Sequence, residues 1–195
     1  THDLKTPLTV ILGYVGVMIS GMSGAISPQQ KGMLETVKNQ ANAQQDMIDT
    51  ILDYTRMEFG RIMVNPEEFS LSALVGELAE AEKLEAGRKQ IKINVELPPQ
   101  ELLVKADKRM MGRVVNNLIS NAIKYTPESG TINVALQDGD GTIRLSVADS
   151  GIGIASENLP RIFEKFFVVD AAGAGGRRSL GLGLSIVKSF AEAHH

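Results

Sequence analysis

Two series of apolar positions with helical spacing occupy the first sixty residues. The first series advances in steps of four and three residues through Leu4, Leu8, Ile11, Val15, Met18 and Met22. The second series runs through Leu34, Val37, Ala41, Gln44, Ile48 and Ile51. Steps of this size place side chains along one seam of a helix, so we predict two helices that each carry an apolar seam.

The residues between the two series contain the signals of a turn followed by a new helix. Ser27 can act as an N-cap, Pro28 suits the first helical position, and Gln30 completes a capping box. Gly60 is expected to follow the end of this second helix. The pattern predicts a helical hairpin over residues 1–60. Because two helices cannot enclose both seams, we also predict a homodimer whose four helices form a bundle.

The remaining residues mix strand and helix patterns. Residues 91–97 alternate between apolar and polar side chains, as a half-buried strand does. Ser70 and Asp107 are predicted N-caps, and Gly87 is expected to end the first of the two helices near Ala86. The second helix is expected to run to Lys124. The other predicted elements are strands at 62–64, 131–136 and 142–147, loops at 151–159 and 168–179, and a helix at 184–193.

These elements predict the domain organisation. Strands and helices follow one another without regular β-α-β alternation, which favours an α+β fold. We expect a helical hairpin over 1–60, a linker or short strand over 61–69, and an α/β sandwich domain over 70–195 that is incomplete at its C-terminus.

Composition excludes several classes of protein. The 195 residues are 43% hydrophobic and 22% charged, which is typical of a globular chain. A net charge of -3 argues against nucleic-acid binding, and the absence of cysteine excludes disulfides and thiol catalysis. The longest apolar stretch, at 8–19, is shorter than the about 20 residues that span a bilayer. We expect a cytoplasmic segment without membrane contact of its own, cut from a longer protein that can carry an upstream sensor or membrane segment.

The first group of residues with chemical potential lies at the start of the chain. On a helix His2 and Thr6 share a face, and Asp3 can reach the same solvent space. Pro7 removes a helical hydrogen bond and is expected to bend the helix where His2 is displayed. A neutral imidazole is a competent nucleophile, and a carboxylate can orient it and accept its proton. The same residues also suit an ordinary surface histidine near a helix start.

A polar stripe forms the second group. Asn117, Asn121, Lys124 and Tyr125 follow one another at helical steps along one side of a predicted helix. Asparagine is a mediocre helix former, so two in mid-helix indicate a function. Amide oxygens and an ammonium group could hold hydrated Mg²⁺ and phosphates.

Two glycine loops form the third group. Asp149, Gly151 and Gly153 follow a strand, while Gly181 and Gly183 open the last helix. Glycines let backbone amides approach phosphates, and a helix N-terminus favours anions. A buried carboxylate at Asp149 could accept a hydrogen bond from the amino group of a base. Because the chain has no Walker-type phosphate loop and no Rossmann fingerprint, a nucleotide site here is of another kind.

Taken in order, these motifs resemble the core of a sensor histidine kinase of two-component signalling. The similar segments are the H box at 2–8, the N box at 117–125, the first glycine box at 149–153, the F box at 162–167 and the second glycine box at 181–184. The resemblance covers essentially the whole chain and implies an ATP-binding domain of the GHKL type.

The resemblance also implies roles for individual residues. His2 would be the phosphoacceptor, Asp3 its acid/base partner, and Thr6 would position water when phosphate is removed from the partner. Asn121 would be the Mg²⁺ ligand. The implied ATP-binding residues are Asn117, Asn121, Lys124, Tyr125, Asp149, Gly151, Gly153, Lys165, Gly181, Leu182 and Gly183, with a flexible lid over 168–180.

The implied activity is autophosphorylation of His2 by Mg²⁺-ATP. Transfer to an aspartate in the receiver domain of a response regulator would follow, and similar proteins also act as phosphatases toward that regulator. Two alternatives stay open. One is an ATPase of the related chaperone and gyrase type, against which the H box argues. The other is a non-catalytic dimeric scaffold, against which Asn121, Asp149 and Gly153 argue.

Overall fold

The computed structural model describes residues 2–59, 63–139, 142–169 and 180–194, with side chains from residue 5 onward. The chain divides into two compact units, Thr1–Arg61 and Ile62–His195.

The first unit is a helical hairpin, as predicted. Helix α1 spans His2–Ile19 and contains Pro7, and helix α2 spans Pro28–Glu58. The capping box is confirmed, since the N–H of Gln30 donates to Ser27 Oγ at 3.2 Å and the N–H of Ser27 donates to Gln30 Oε1 at 2.7 Å. An ion pair between Lys5 and Asp49 joins the two helices.

The apolar seams are only partly covered by this hairpin. Leu8, Val15 and Ala41 are buried, each with 6% of its surface exposed. The other described seam residues include several with more than two-fifths of their surface exposed: Ile11, Met18, Met22, Val37 and Ile51. A single chain therefore leaves much of both seams open.

The described residues of the second unit form two small sheets and three α-helices. Its strands are β1 Glu67–Ser70, β2 Lys92–Glu96, β3 Leu103–Ala106, β4 Thr131–Gly139 and β5 Thr142–Asp149. Its helices are α3 Leu71–Arg88, α4 Lys108–Tyr125 and α5 Gly183–Glu192, with a short 3₁₀ turn at Leu159–Arg161. Strand β1 pairs antiparallel with β3, while β4 pairs parallel with β2 and antiparallel with β5.

The core of the second unit lies between the helices and the three-stranded sheet. Val75 and Ala79 of α3, Ile119 of α4, and Ile132 and Val134 of β4 are fully buried within one cluster. This arrangement confirms the predicted mixed helix and sheet fold. The opposite side of α4 faces away from the core.

The structure differs from the predicted elements at one misplaced strand, one strand that was not predicted and one helix end. Residues 63–66 form no regular structure, and the strand in this region is β1, which starts at Glu67. Strand β3 has no expected counterpart. Helix α3 continues through Gly87 to Arg88, because the residue with a left-handed backbone is Gln90, with φ of 56°. The N–H groups of Gln90 and Ile91 donate to Gly87 and Ala86 carbonyls at 3.0 Å, which is a Schellman motif.

Candidate functional site

Helix α4 is the platform of the site. Asp107 caps it, because its Oδ1 accepts a hydrogen bond from the Met110 N–H at 3.0 Å, while Oδ2 accepts one from the Asn65 N–H at 3.1 Å. One side of the helix is buried in the core through Val115, Ile119, Ala122 and Ile123. Asn117, Asn121, Lys124 and Tyr125 lie on the other side and are half-buried. The predicted polar stripe is therefore present.

The cap carboxylate is held in its charged form. Burial alone would raise the pKa of Asp107, but the hydrogen bonds from the Met110 and Asn65 backbone amides, with the charge of Arg109, hold this pKa below its usual value. The start of α4 is thus fixed by an ionised cap.

Gly183 brings the start of α5 against the polar stripe. A Cβ at Gly183 would lie 3.3 Å from Asn117 Oδ1 and 3.9 Å from Asn121 Nδ2. Leu182 is 2% exposed, and its carbonyl accepts a hydrogen bond from Ser185 Oγ at 2.9 Å. Among the described residues no side chain caps the first N–H groups of α5. The side-chain amides of Asn117 and Asn121 therefore lie next to the positive N-terminal end of α5.

The turn at 149–153 rests on the last residue of α4. Asp149 Oδ1 accepts a hydrogen bond from the Gly151 N–H at 2.8 Å, and the Ile152 N–H donates to the Tyr125 carbonyl at 3.3 Å. A Cβ at Gly151 would lie 2.6 Å from the Tyr125 oxygen, so this position needs glycine. Gly153 has φ of 69° and open space around it. The 149–153 turn is thus hydrogen-bonded to the C-terminal end of α4.

The expectation of a buried carboxylate at Asp149 is wrong, because this side chain is exposed. Asp149 ends β5, which has only β4 as a neighbour within the described part of the sheet. A residue at the end of such a strand has little protein around it. The carboxylate nevertheless has a defined position, through its bond to Gly151.

The F-box segment packs on the second glycine box. The Phe166 N–H donates to the Gly181 carbonyl at 2.9 Å, and Gly181 has φ of 67°. A Cβ on Gly181 would lie 2.6 Å from the Phe166 carbonyl carbon. Arg161 stacks over the Phe167 ring at 4.3 Å. Lys165 is exposed on the same segment. Of the lid expected over 168–180, residues 170–179 lie outside the described part of the chain.

The phosphoacceptor candidate lies in the first unit. His2, Asp3 and Thr6 belong to the first turns of α1, where a spacing of four residues puts His2 and Thr6 on one side. Thr6 is exposed. The side chains of His2 and Asp3 lie outside the described part.

Two residues near the site were missed in the sequence. Lys89 Nζ donates to carbonyls at the end of α4, and His194 Nε2 accepts from the N–H of Asp107. Lys124 Nζ also lies 4.9 Å from the centre of the Tyr125 ring. No short-range pattern marks Lys89 or His194, because their partners are 34 or more residues away.

None of the described helices is both long and apolar enough to cross a membrane.

Two family models match the chain. Residues 1–60 match the His Kinase A (phospho-acceptor) domain. Residues 106–195 match the histidine kinase-, DNA gyrase B- and HSP90-like ATPase.

Relatives and solved structures extend the match to the whole chain. The histidine protein kinase DivJ of Caulobacter vibrioides is 33% identical over 195 residues, which are 100% of this chain and 32% of DivJ. The chain thus spans about a third of that relative's length. Full-length ShkA, solved in complex with AMPPNP, matches 98% of this chain and 39% of its own, with a TM-score of 0.73 and 26% identity. The catalytic domain of histidine kinase ThkA is 32% identical with a TM-score of 0.59, covering 67% of this chain and 82% of its own.

A phosphoacceptor hairpin followed by an ATPase-type domain, each matched by its own family model, assigns this chain to the sensor histidine kinases of two-component systems.

Proposed function

We propose that this chain transfers the γ-phosphoryl group of ATP to the imidazole of His2 and then passes it to an aspartate in the receiver domain of a response regulator. One observation carries the proposal: the amides of Asn117 and Asn121 face the first residue of α5, on the helix whose end holds the 149–153 turn. These elements combine side-chain amides, a helix N-terminus and an exposed carboxylate. Amide N–H groups and a helix N-terminus suit phosphates, and the carboxylate suits the amino group of a base.

The nucleotide would be held along α4. Asn117 and Lys124 would bind phosphate oxygens, Tyr125 would pack beside the nucleotide, and Asp149 would accept a hydrogen bond from the adenine amino group. The exposure of Asp149 supports this, because its carboxylate is accessible from solvent. The glycine segments, with Leu182 as their buried anchor, would shape the pocket, and Lys165 would add positive charge. These glycines are Gly151, Gly153, Gly181 and Gly183.

The residues present fit a Mg²⁺ ion that enters with ATP. No cluster of three His, Cys, Asp or Glu side chains among the described residues could hold a metal by itself. Mg²⁺ bound to nucleotide phosphates keeps several waters and needs few protein ligands, which matches a donor set of amide oxygens. Asn121 would hold the ion, and the charge of the Mg²⁺ would neutralise the phosphates.

The chemistry at His2 is an in-line displacement. An imidazole nitrogen of His2 forms the N–P bond as the bond between the γ-phosphorus and the bridging oxygen of ADP breaks, and Asp3 accepts the imidazole proton. In the second transfer the N–P bond breaks as a carboxylate oxygen of the regulator binds phosphorus. Thr6 would orient water for hydrolysis of the phosphorylated regulator.

The chain would act as a cytoplasmic homodimer, with residues 1–60 as the dimerisation and phosphotransfer domain and residues 70–195 as the catalytic domain. The exposed seam residues of the hairpin support a four-helix bundle, because exposed apolar surface of this extent favours association. Light scattering should give twice the mass of the chain. Ile11→Glu should shift the mass toward the monomer, whereas Thr9→Glu, at an exposed polar position, should leave the dimer intact.

Labelling with radioactive Mg²⁺-ATP tests the kinase activity. A histidine kinase should acquire a label that is labile in acid and stable in alkali, and His2→Gln should abolish it. Asn121→Ala should reduce labelling through weaker nucleotide binding. Nucleotide binding without any label on His2 would contradict the proposed transfer and favour a non-catalytic scaffold.

A further inference from the structure

A lysine from another helix closes the C-terminal end of α4. Lys89, the C-cap residue of α3, is partly buried. Its Nζ lies 2.8 Å from the Ile123 carbonyl oxygen, 3.2 Å from that of Lys124 and 3.3 Å from that of Thr126. One ammonium group therefore contacts three carbonyl oxygens within four residues, at the end of the helix that carries the polar stripe.

These bonds satisfy the acceptors that a helix end leaves open. The last four carbonyls of a helix have no intrahelical partner and form its negative end. An ammonium group has three N–H donors, which equals the number of carbonyls around Lys89 Nζ. The Ala122 carbonyl accepts from the Thr126 N–H at 3.0 Å, and the Tyr125 carbonyl accepts from the Ile152 N–H at 3.3 Å. Every carbonyl from residue 122 to residue 126 thus has a partner.

The same turn of α3 holds the segment that follows α4. The Ser129 N–H donates to the Lys89 carbonyl at 3.0 Å, and Ser129 Oγ donates to Gln90 Oε1 at 3.2 Å. The N–H of Lys92 donates to the Gly130 carbonyl at 3.0 Å. Lys89 is therefore fixed on both its backbone and its side chain against the end of α4.

The site depends on where α4 ends. Tyr125 is the last residue of α4, its carbonyl holds the 149–153 turn through Ile152, and Gly151 has no room to move toward it. If the Lys89 bonds were lost, three carbonyls would face a partly buried region without donors, and water would have to enter. The final turn of α4 would then loosen, together with the turn bound to it.

We propose that Lys89 is a positioning residue for nucleotide binding: its ammonium group clamps the last turn of α4 and thereby sets the distance between the polar stripe and the 149–153 turn. This inference rests on the proposed function, since it assigns Lys89 a role in the ATP site. Lys89 touches no substrate and acts through Tyr125 and Ile152.

Binding of Mg²⁺-AMPPNP to the full chain, measured by calorimetry, tests the proposal. Lys89→Met should raise the Kd about tenfold, the size expected for losing a charged hydrogen-bond donor. Lys89→Arg, which keeps the charge and several donors, should recover most of the affinity. Lys89→Gln provides a milder neutral variant if the methionine variant folds poorly. Arg88→Met is the matched control, because Arg88 is exposed and pairs only locally with Glu85.

A second measurement separates positioning from general stability. Leu136 is a buried core residue toward the end of β4 that is far from the site. Leu136→Val should therefore lower the Tm without changing the Kd. Amide hydrogen exchange in the nucleotide-free chain should be faster at Ile152 and Thr126 in Lys89→Met than in the wild type.

The outcomes distinguish the two proposals. A wild-type chain that does not bind Mg²⁺-AMPPNP would overturn the proposed function and with it the role of Lys89 in the ATP site. A wild-type chain that binds, with equal Kd in Lys89→Met, would overturn the inference on Lys89 alone. A Kd that follows the Tm in all variants, including Leu136→Val, would reduce Lys89 to a structural residue.

Discussion

The backbone N–H of Asp107 donates a hydrogen bond to Nε2 of His194 at 3.0 Å, across 87 residues of sequence. His194 Nδ1 lies 2.7 Å from the Phe190 carbonyl oxygen. Because an amide N–H only donates and a carbonyl only accepts, Nε2 must be unprotonated and Nδ1 must carry the proton. The end of α5 is thereby tied to the beginning of α4.

This relationship predicts the tautomer of His194. Long-range ¹H–¹⁵N spectra at neutral pH should show the Nδ1–H form, which is the less common one for a solvated histidine. His194→Ala should lower the free energy of unfolding by about 1 kcal/mol, the usual value for a net hydrogen bond. An Nε2–H signal for this ring would contradict the geometry described.

Asp107 predicts a pH dependence of stability. Its pKa is lowered in the folded state, so its contribution is fully present above the unfolded pKa of about 3.9 and is lost as the pH falls through the lower folded pKa. Asp107→Asn keeps an N-cap side chain but cannot titrate. Urea unfolding between pH 6 and pH 3 should show a smaller loss of stability in this variant than in the wild type. Parallel curves for the two proteins would refute this assignment.

Gln90 predicts a stabilising substitution. Its φ of 56° places a residue with a Cβ in the left-handed position of the Schellman motif, where glycine is favoured. Gln90→Gly should raise the free energy of unfolding by about 0.5–1 kcal/mol. Gln90→Ala serves as the control, since it loses the same bond to Ser129 but keeps the Cβ and should give no gain. Equal stability of the two variants would argue against backbone strain.

Two glycines predict opposite results for the same change. Gly151→Ala should weaken nucleotide binding and stability, because the new Cβ would meet the Tyr125 carbonyl at 2.6 Å. Gly87→Ala, in the last turn of α3 with open space around it, should be stabilising by up to about 1 kcal/mol. Thermal unfolding and Mg²⁺-AMPPNP titration of both variants check this. A tolerated Gly151→Ala would show that the turn can move away from α4.

The buried hydroxyl of Thr126 is predicted to be dispensable for the stability of the fold. The residue is 1% exposed, and its Oγ1 is one of the buried polar atoms that lack a hydrogen-bond partner in the described structure. Thr126→Val keeps the shape and removes the unpaired group, so the free energy of unfolding should rise by up to about 1 kcal/mol. Loss of stability on this change, seen by chemical denaturation, would reveal a hydrogen bond to an internal water.

The features that depend on near neighbours in the sequence were predictable. The capping box of Ser27 and Gln30 and the cap of Asp107 join groups three residues apart. The polar stripe of α4 follows from helical spacing. The order of the motifs was enough to indicate the family, which the comparisons then confirmed.

The features that depend on distant residues were not predictable. Strand β3 forms because β1, more than thirty residues earlier, pairs with it. The exposure of Asp149 follows from the edge position of β5 in the described sheet.

By itself the sequence determined where the capped helices begin, which faces are apolar, and which residue types stand at steps suited to phosphoryl transfer. Only the tertiary structure decided that Gly183 meets Asn117, that Lys89 closes α4, and that His194 joins Asp107. The physical reason is distance along the chain. Local hydrogen bonds are encoded within four residues, whereas these three contacts join residues 34 to 87 positions apart and arise only when the core has packed.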